Sequence, residues 1–294
     1  MANASAGRSA LSRHLRILSA FNADSAFLTL TQLSRRAGLP LASTHRLVTE
    51  LESHGLLERN EDKTYRLGVR LWELACCTPG ALGLREIAMP YLQDVHAVVG
   101  QHTQLGILEG TDVLFLERLS KRNAVVNATL IGGRLPLHAS SSGLVLLAHM
   151  PSAFVDQIVN DGLFSYTNHT IRSLSELTAT LSEIRSRGFV VADGYIHPDA
   201  RGIAVPVFGA NQVVVAAISV VVPNDETPWE ATRDILRRAA QQMSLALRSA
   251  YLPPRHPQAL PGGRYRPLVN SSVKSMEYLG STARRYSAVP TPRD

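Results

Sequence analysis

Cysteine is almost absent from this 294-residue chain: there are two, Cys76 and Cys77, side by side. Neighbouring cysteines are poorly placed for an ordinary disulfide. With no spaced partner they do not make a structural zinc site either, so a reduced, cytoplasmic setting is expected. Long apolar runs are missing as well. None approaches the ~18–20 residues of a membrane span, and MANASAGRSALSRHLRIL lacks the uninterrupted apolar stretch of a secretory signal, so no membrane association is expected. Catalytic signatures are missing too: there is no G-x-S-x-G elbow, G-x-x-x-x-G-K-[ST] loop, H-E-x-x-H or strand-borne G-x-G-x-x-G. The ten histidines are scattered without metal-ligand spacing, and His96 and His102, either side of Gly100, read as helix-end residues. Asp193 and His197 come nearest to an acid–base pair, but no nucleophile or cofactor site accompanies them, so an enzyme is not expected and no cofactor is implied.

What is present is an ordinary globular composition, 45% hydrophobic and 18% charged, with charge unevenly distributed. Residues 1–68 hold 9 basic and 6 acidic side chains, 69–250 hold 14 and 16, and 251–294 hold 7 and 2. A near-neutral middle with basic ends is compatible with a grip on phosphates, although the N-terminal excess is small.

Ser9 to Phe21 has Leu11, Leu15, Leu18 and Phe21 at helical spacing. Leu28 to Gly38 offers Thr29 or Thr31 as N-cap, an apolar stripe at Leu30 and Leu33, and Gly38 as a stop. A third helix is expected over Leu41 to His54, with Leu47, Val48 and Leu51 inward. Leu56 to Arg59 and Thr64 to Leu67, around the polar turn Asn60 to Lys63, predict a hairpin. Val69 to Cys77 reads as a linker helix stopped at Thr78-Pro79-Gly80. Farther on, helices are expected at Leu84–Val99, Leu174–Arg187 and Trp229–Ala250. Strands are expected at Gln104–Glu109, Val113–Leu119, Ala124–Leu130, Gly202–Phe208 and Val213–Val222. Helices flanking strand runs suggest an α+β domain. Residues 252–294 carry 7 of the 16 prolines and are expected to form a disordered basic tail.

Helix, helix, turn, helix, hairpin is the order of a winged helix-turn-helix, whose second motif helix presents its first turn to base edges. Ser43, Thr44 and Arg46 are the candidate base readers; Arg can grip guanine with two hydrogen bonds. Thr31, Arg35 and Arg36 are placed for phosphates, and Lys63 and Arg66 for the flanking duplex. By periodicity alone a protein–protein adaptor fits about equally well.

The run LTQLSRRAGLPLASTHRLVTELESHGLLERN…YRLG, Leu30 to Gly68, resembles the DNA-binding domain of IclR-type regulators. LREIAMPYLQDV (Leu84–Val95), GGRLPLHASSSGLVLLA (Gly132–Ala148) and RGFVVADGYIHPDARGIAVPV (Arg187–Val207) are similar to that family's effector-domain motifs, in family order. The resemblance implies a winged helix-turn-helix at 9–68 and a linker helix at 69–80. It implies an effector domain at 81–251 with a curved, GAF-like antiparallel sheet. It further implies binding to double-stranded operator DNA as a dimer or tetramer, with Leu71, Trp72 and Leu74 at a contact between copies (interdomain packing fits Trp72 equally well), and control by a small-molecule effector. The implied pocket residues are Leu135, Leu137, His138, Ala139, Ser140, Ser141, Asp193, Tyr195, Arg201, Gly202, Ser219 and Val221; capping or surface roles are the plainer alternative for the polar ones. The chain departs from the family pattern in three places. Gly202 stands where cysteine is common, Val221 where a serine is common, and an acidic cluster is reduced to Asp193. These changes predict an effector bulkier or more apolar than a small oxoacid. A competing expectation is a degenerate sensor on a sequence-tolerant architectural DNA binder, with Arg264, Arg266, Lys274, Arg284 and Arg285 of the tail adding phosphate contacts.

Overall fold

The computed structural model describes residues 9–22, 25–76, 79–209 and 212–250; the tail and its five named basic residues lie outside them. The chain forms two compact units, Met1–Thr78 and Pro79–Asp294.

In the first unit, Ser9 caps α1 (Ala10–Leu18) by accepting from the Ser12 amide. Ile17, and Ala20 just past its end, face inward, while Leu11 and Leu15, part of the apolar stripe expected from the sequence, face outward. Strand β1 (Leu28–Thr29) leads into α2 (Leu30–Ala37). Thr29 and Gln32 form a reciprocal capping box at its start, which satisfies amides that a helix start leaves unpaired. Gly38 ends α2 in the left-handed region at φ 59°, where a side chain would be strained; a Cβ there would also lie 2.7 Å from the Arg16 guanidinium. Pro40 then opens α3 (Leu41–Ser53). Strands β2 (Leu57–Arg59) and β3 (Thr64–Leu67) form the wing, and β1 adds to β3, giving the order β1-β3-β2. One apolar cluster, including Ile17, Leu28, Leu33, Leu47, Leu51 and Leu57, joins the three helices to this sheet. Helix α4 (Val69–Cys76) follows.

The second unit begins with α5 (Pro79–Val99). Helix α4 ends before Pro79 and Gly80, as expected of the linker helix, and the same Pro79 and Gly80 open α5; proline suits a first turn because its missing N–H would have no partner there. Strands β4 (His102–Glu109), β5 (Asp112–Leu119), β6 (Arg134–Pro136), β7 (Val190–Asp193), β8 (Ala200–Phe208) and β9 (Val214–Pro223) form one antiparallel sheet in the order β6-β5-β4-β9-β8-β7. Irregular register at Leu105/Gly106 and Val207/Phe208 bends its strands. Helices α5 and α9 (Glu230–Ala250) cover one face over Leu105, Ile203, Ile218 and Val220. Helices α6 (Ser141–Leu147), α7 (Ser152–Asp161) and α8 (Leu174–Arg187) cover the other, over Val113, Phe115, Ala204 and Ala217. Among the described residues no helix is long and apolar enough to cross a membrane.

Two expectations fail here. Ala124–Leu130 is not a strand. Side chains capture its polar backbone groups before a ladder can: Gln101 Oε1 accepts from the Val125 amide at 2.9 Å, His102 Nε2 reaches the Val125 carbonyl at 2.6 Å, and Arg118 donates to the Thr129 carbonyl. His102 is itself no helix-end residue; it opens β4 and is buried.

Candidate nucleic-acid interface and ligand pocket

On α3, Thr44, Leu47, Val48 and Leu51 are buried. The complementary positions Ala42, His45, Arg46 and Thr49 are exposed and Ser43 is half-buried. Residues three and four apart share a helix face, so the exposed face of α3 runs Ala42–His45–Arg46–Thr49, with Ser43 at its margin. Thr44, expected to face DNA, does not: it is 0% exposed and its hydroxyl donates to the Pro40 carbonyl at 3.1 Å. His45 and Thr49 were missed, although they are the phase complement of the apolar set.

The flanking arginines divide. Arg35 is exposed at the end of α2, as is Thr31 in its first turn. Arg36 is engaged elsewhere, donating to the Ala20 carbonyl at 3.0 Å and to Ser25 Oγ at 2.8 Å. A carbonyl just past a helix end has no intrahelical partner and draws such a donor. Arg66 is also committed, with Nε and an Nη both on Glu58 Oε2 at 2.9 and 2.7 Å, because the two residues are cross-strand partners in the wing. Glu58 accepts the Val69 amide as well; that bond first and Arg66 second hold its carboxyl below the usual range. At the wing tip Lys63 is exposed and sits at φ 66°. Arg46, Arg35 and Lys63 are thus the expected cations that the fold leaves open to a duplex.

In the second unit a cavity with about 490 Å³ of atom-free space, open mouth included, lies between the sheet and the start of α6. Seven of the expected residues line it: Leu135, Ala139, Ser140, Ser141, Tyr195, Gly202 and Val221. Strand register explains their convergence, since Gly202 pairs directly with Val221 across β8 and β9. Ser140 is the N-cap of α6, accepting from the Gly143 amide at 3.1 Å. Burial, then the charge of Asp193, raises the Tyr195 pKa, so its phenol stays protonated at neutral pH.

Five expected residues do not line the cavity. Leu137 is fully buried in the α6–α8 core. His138 Nε2 bonds the Phe164 carbonyl at 2.9 Å. Arg201 and Asp193 pair with each other, and Arg201 also reaches the Thr227 carbonyl at 3.4 Å. Ser219 sits behind the floor, accepting from Ser142 Oγ at 2.8 Å and facing Gln104 Oε1 at 3.4 Å. Asp193 and His197 form no acid–base pair, because His197 Nδ1 accepts instead from the Asp199 amide. The missed lining residues include Gln104, Phe115, Asn127, Thr129, Ser142 and Ala192. Of these, Asn127 Oδ1 accepts from the Thr129 amide and hydroxyl while its buried Nδ2 has no partner among the described residues. Gly202 sets the depth of the floor: a Cβ there would lie 2.7 Å from Ser141 Oγ and 3.1 Å from Ser141 Cβ. Among the described residues no cluster of three potential metal ligands occurs.

A winged helix-turn-helix followed by a helix-covered sheet with a pocket defines a DNA-binding transcription regulator with a sensor domain. Residues 10–61 match the IclR helix-turn-helix domain and 79–245 match the bacterial transcriptional regulator IclR C-terminal domain. The chain belongs to the IclR family of transcriptional regulators. Among curated relatives it is 31% identical over 240 residues to the HTH-type transcriptional regulator XynR of Escherichia coli, spanning 81% of this chain and 95% of that one. It is 26% identical to the Escherichia coli transcriptional repressor IclR, over 80% and 89% of the two chains. Among solved structures, an IclR homolog from Microbacterium hydrocarbonoxydans complexed with 4-hydroxybenzoate is 43% identical, with a TM-score of 0.79 over 82% of this chain and all of that one.

Proposed function

We propose that this chain is a cytoplasmic, ligand-responsive regulator that reads a palindrome-like operator as a dimer or tetramer. Its hold on DNA changes when an aromatic carboxylic acid of about the size of 4-hydroxybenzoate fills the pocket. The observation that carries the ligand class is the Gly202 floor. With no Cβ there, and with Val221, Ala192, Phe115 and Leu135 as walls, the space suits a flat apolar body. Polar groups wait at separate places on the lining: the Ser141 hydroxyl, which makes no hydrogen bond among the described residues, and the unpartnered Asn127 Nδ2. A glyoxylate- or pyruvate-sized acid would leave much of the apolar wall facing water, which forfeits ~25 cal/mol for each Å² left uncovered. The 4-hydroxybenzoate bound to the 43%-identical relative supports the same class.

Operator symmetry supports self-association, since two half-sites a helical turn apart mirror a two-fold protein. Val69, Trp72 and Leu74 of α4 are largely exposed, which fits a contact between copies better than a monomer's surface. A ligand can shift DNA affinity only through different affinities for two arrangements of the protein. Calorimetric titration of the full chain tests the ligand class. Saturable binding of 4-hydroxybenzoate with weak or absent pyruvate and glyoxylate binding is expected; tight binding of the small oxoacids alone contradicts it.

A further inference from the structure

Past the ligand pocket, at the far end of β8, a second cavity of about 730 Å³, open mouth included, lies between that strand, the end of α8 and α9. Arg185, Arg237 and Arg248 line it with His149, and among the described residues no carboxylate does. Five arginines of this unit form ion pairs, Arg85, Arg134, Arg187, Arg201 and Arg233; Arg185, Arg237 and Arg248 form none among the described residues, and these three line one cavity.

Main-chain carbonyls fix these guanidinium groups without neutralising them. Arg185 donates to the Ala148 carbonyl at 3.0 Å, Arg248 to the Ser244 carbonyl at 3.1 Å, and Arg237 to the Arg187 carbonyl. Arg237 is also held over the Phe189 ring, 5.0 Å from its centroid. A guanidinium has five N–H donors, so most remain available, in the planar fork that matches a carboxylate or phosphate. Three like charges held together repel one another, and an oxyanion among them removes that repulsion. His149 adds an independent sign. Its ring stands edge-on to Phe208 at 5.6 Å, and its buried Nε2 has no hydrogen-bond partner among the described residues; a buried polar atom left so is costly until something meets it. Phe208, Val205, Pro206 and Ala240 supply an apolar floor, so the fitting ligand has an organic body as well as charge.

We propose that this cavity is a second ligand site, separate from the aromatic-acid pocket, for a small organic anion with two or more carboxylate or phosphate groups. The probe is citrate, titrated calorimetrically into the full chain at constant ionic strength, with acetate as control. One saturable citrate site per chain is expected, with acetate far weaker. Losing two charge-assisted contacts in Arg185→Gln/Arg237→Gln should weaken citrate by roughly tenfold or more, while Arg237→Lys, which keeps the charge but loses the fork and the ring stacking, should weaken it less than the double variant. Citrate should still bind when 4-hydroxybenzoate saturates the other pocket; mutually exclusive binding would place citrate there and overturn the proposal. In the unmodified protein the His149 ring signal, assigned by its loss in His149→Gln, should move on citrate addition. Non-saturable uptake, acetate binding equal to citrate, undiminished affinity in the double variant or an unmoved His149 signal would each overturn it.

Discussion

Gly202→Ala is the smallest change that tests the shape of the ligand pocket. The new Cβ would sit 2.7 Å from Ser141 Oγ and 3.1 Å from Ser141 Cβ, against ~3.5–4.0 Å for a relaxed carbon contact. The hydroxyl can turn to another rotamer, at a cost of ~0.5–1.5 kcal/mol if it ends off a well. The carbon contact cannot be relieved that way and requires a shift of about 0.5 Å in α6 or β8. Overpacking of this kind costs ~1–3 kcal/mol, felt in stability. The methyl and the displaced hydroxyl also occupy space an aromatic ring would use. A methyl-sized mismatch in an apolar site is worth ~1–3 kcal/mol, or about 10–200-fold in affinity. Gly202→Cys, the residue common at this place in the family pattern, is larger and should weaken 4-hydroxybenzoate further while favouring smaller acids. Calorimetry with 4-hydroxybenzoate and pyruvate, beside thermal melts of each variant, separates the binding loss from the folding loss. Unchanged 4-hydroxybenzoate affinity in Gly202→Ala, or a gain in Gly202→Cys, would refute the reasoning.

Other expectations concern the DNA side and pH. Arg46→Ala should lose ~1–3 kcal/mol of preference for the operator over random DNA, whereas Thr44→Val, altering a buried side chain whose acceptor also holds the Thr44 amide at 2.9 Å, should leave site preference intact in competition binding assays. Lys63→Gly should weaken binding to all sequences and flatten the salt dependence by about one phosphate contact. It should also raise the melting temperature, because glycine accepts the positive φ that lysine resists. Burial, the largest cause for each, lowers the pKa of His102 and His149. The unfolded chain, with histidines near ~6.5, therefore takes up protons first as the pH falls. Stability should decline as pH drops through about 6.5 and level off below the folded-state values. A higher melting temperature at pH 5.5 than at 7.5 would contradict this.

The phase of α3 was readable because Leu47, Val48 and Leu51 repeat at helical spacing, and Thr29 and Gly38 mark the ends of α2, whereas α1 turns Ile17 inward and leaves Leu11 and Leu15 exposed. Thr44 was misplaced because a hydroxyl looks polar in a sequence, yet it can return its hydrogen bond to the carbonyl four residues back and fill an apolar slot. Arg36 and Arg66 looked like free cations because their partners, the Ala20 carbonyl and Glu58, meet them only through the fold. Ala124–Leu130 has the composition of a strand, but which segment joins a ladder depends on competing side chains such as His102 and Arg118. The pocket was half-legible for the same reason. The loop residues before α6 are contiguous in sequence, whereas Gln104, Phe115 and Asn127 arrive from elements whose register no local pattern specifies. Asp193 and Arg201, polar and close in sequence to the pocket, satisfy each other as cross-strand partners.

The most direct test of ligand-controlled DNA binding is the affinity of the full chain for its upstream DNA, measured by fluorescence anisotropy with and without saturating 4-hydroxybenzoate. Coupling between two sites typically amounts to ~1–3 kcal/mol. The predicted result is therefore a change of roughly 5–150-fold in Kd, matched by an equal change in acid affinity when DNA is present. Superimposable DNA-binding curves with the acid demonstrably bound would contradict the account.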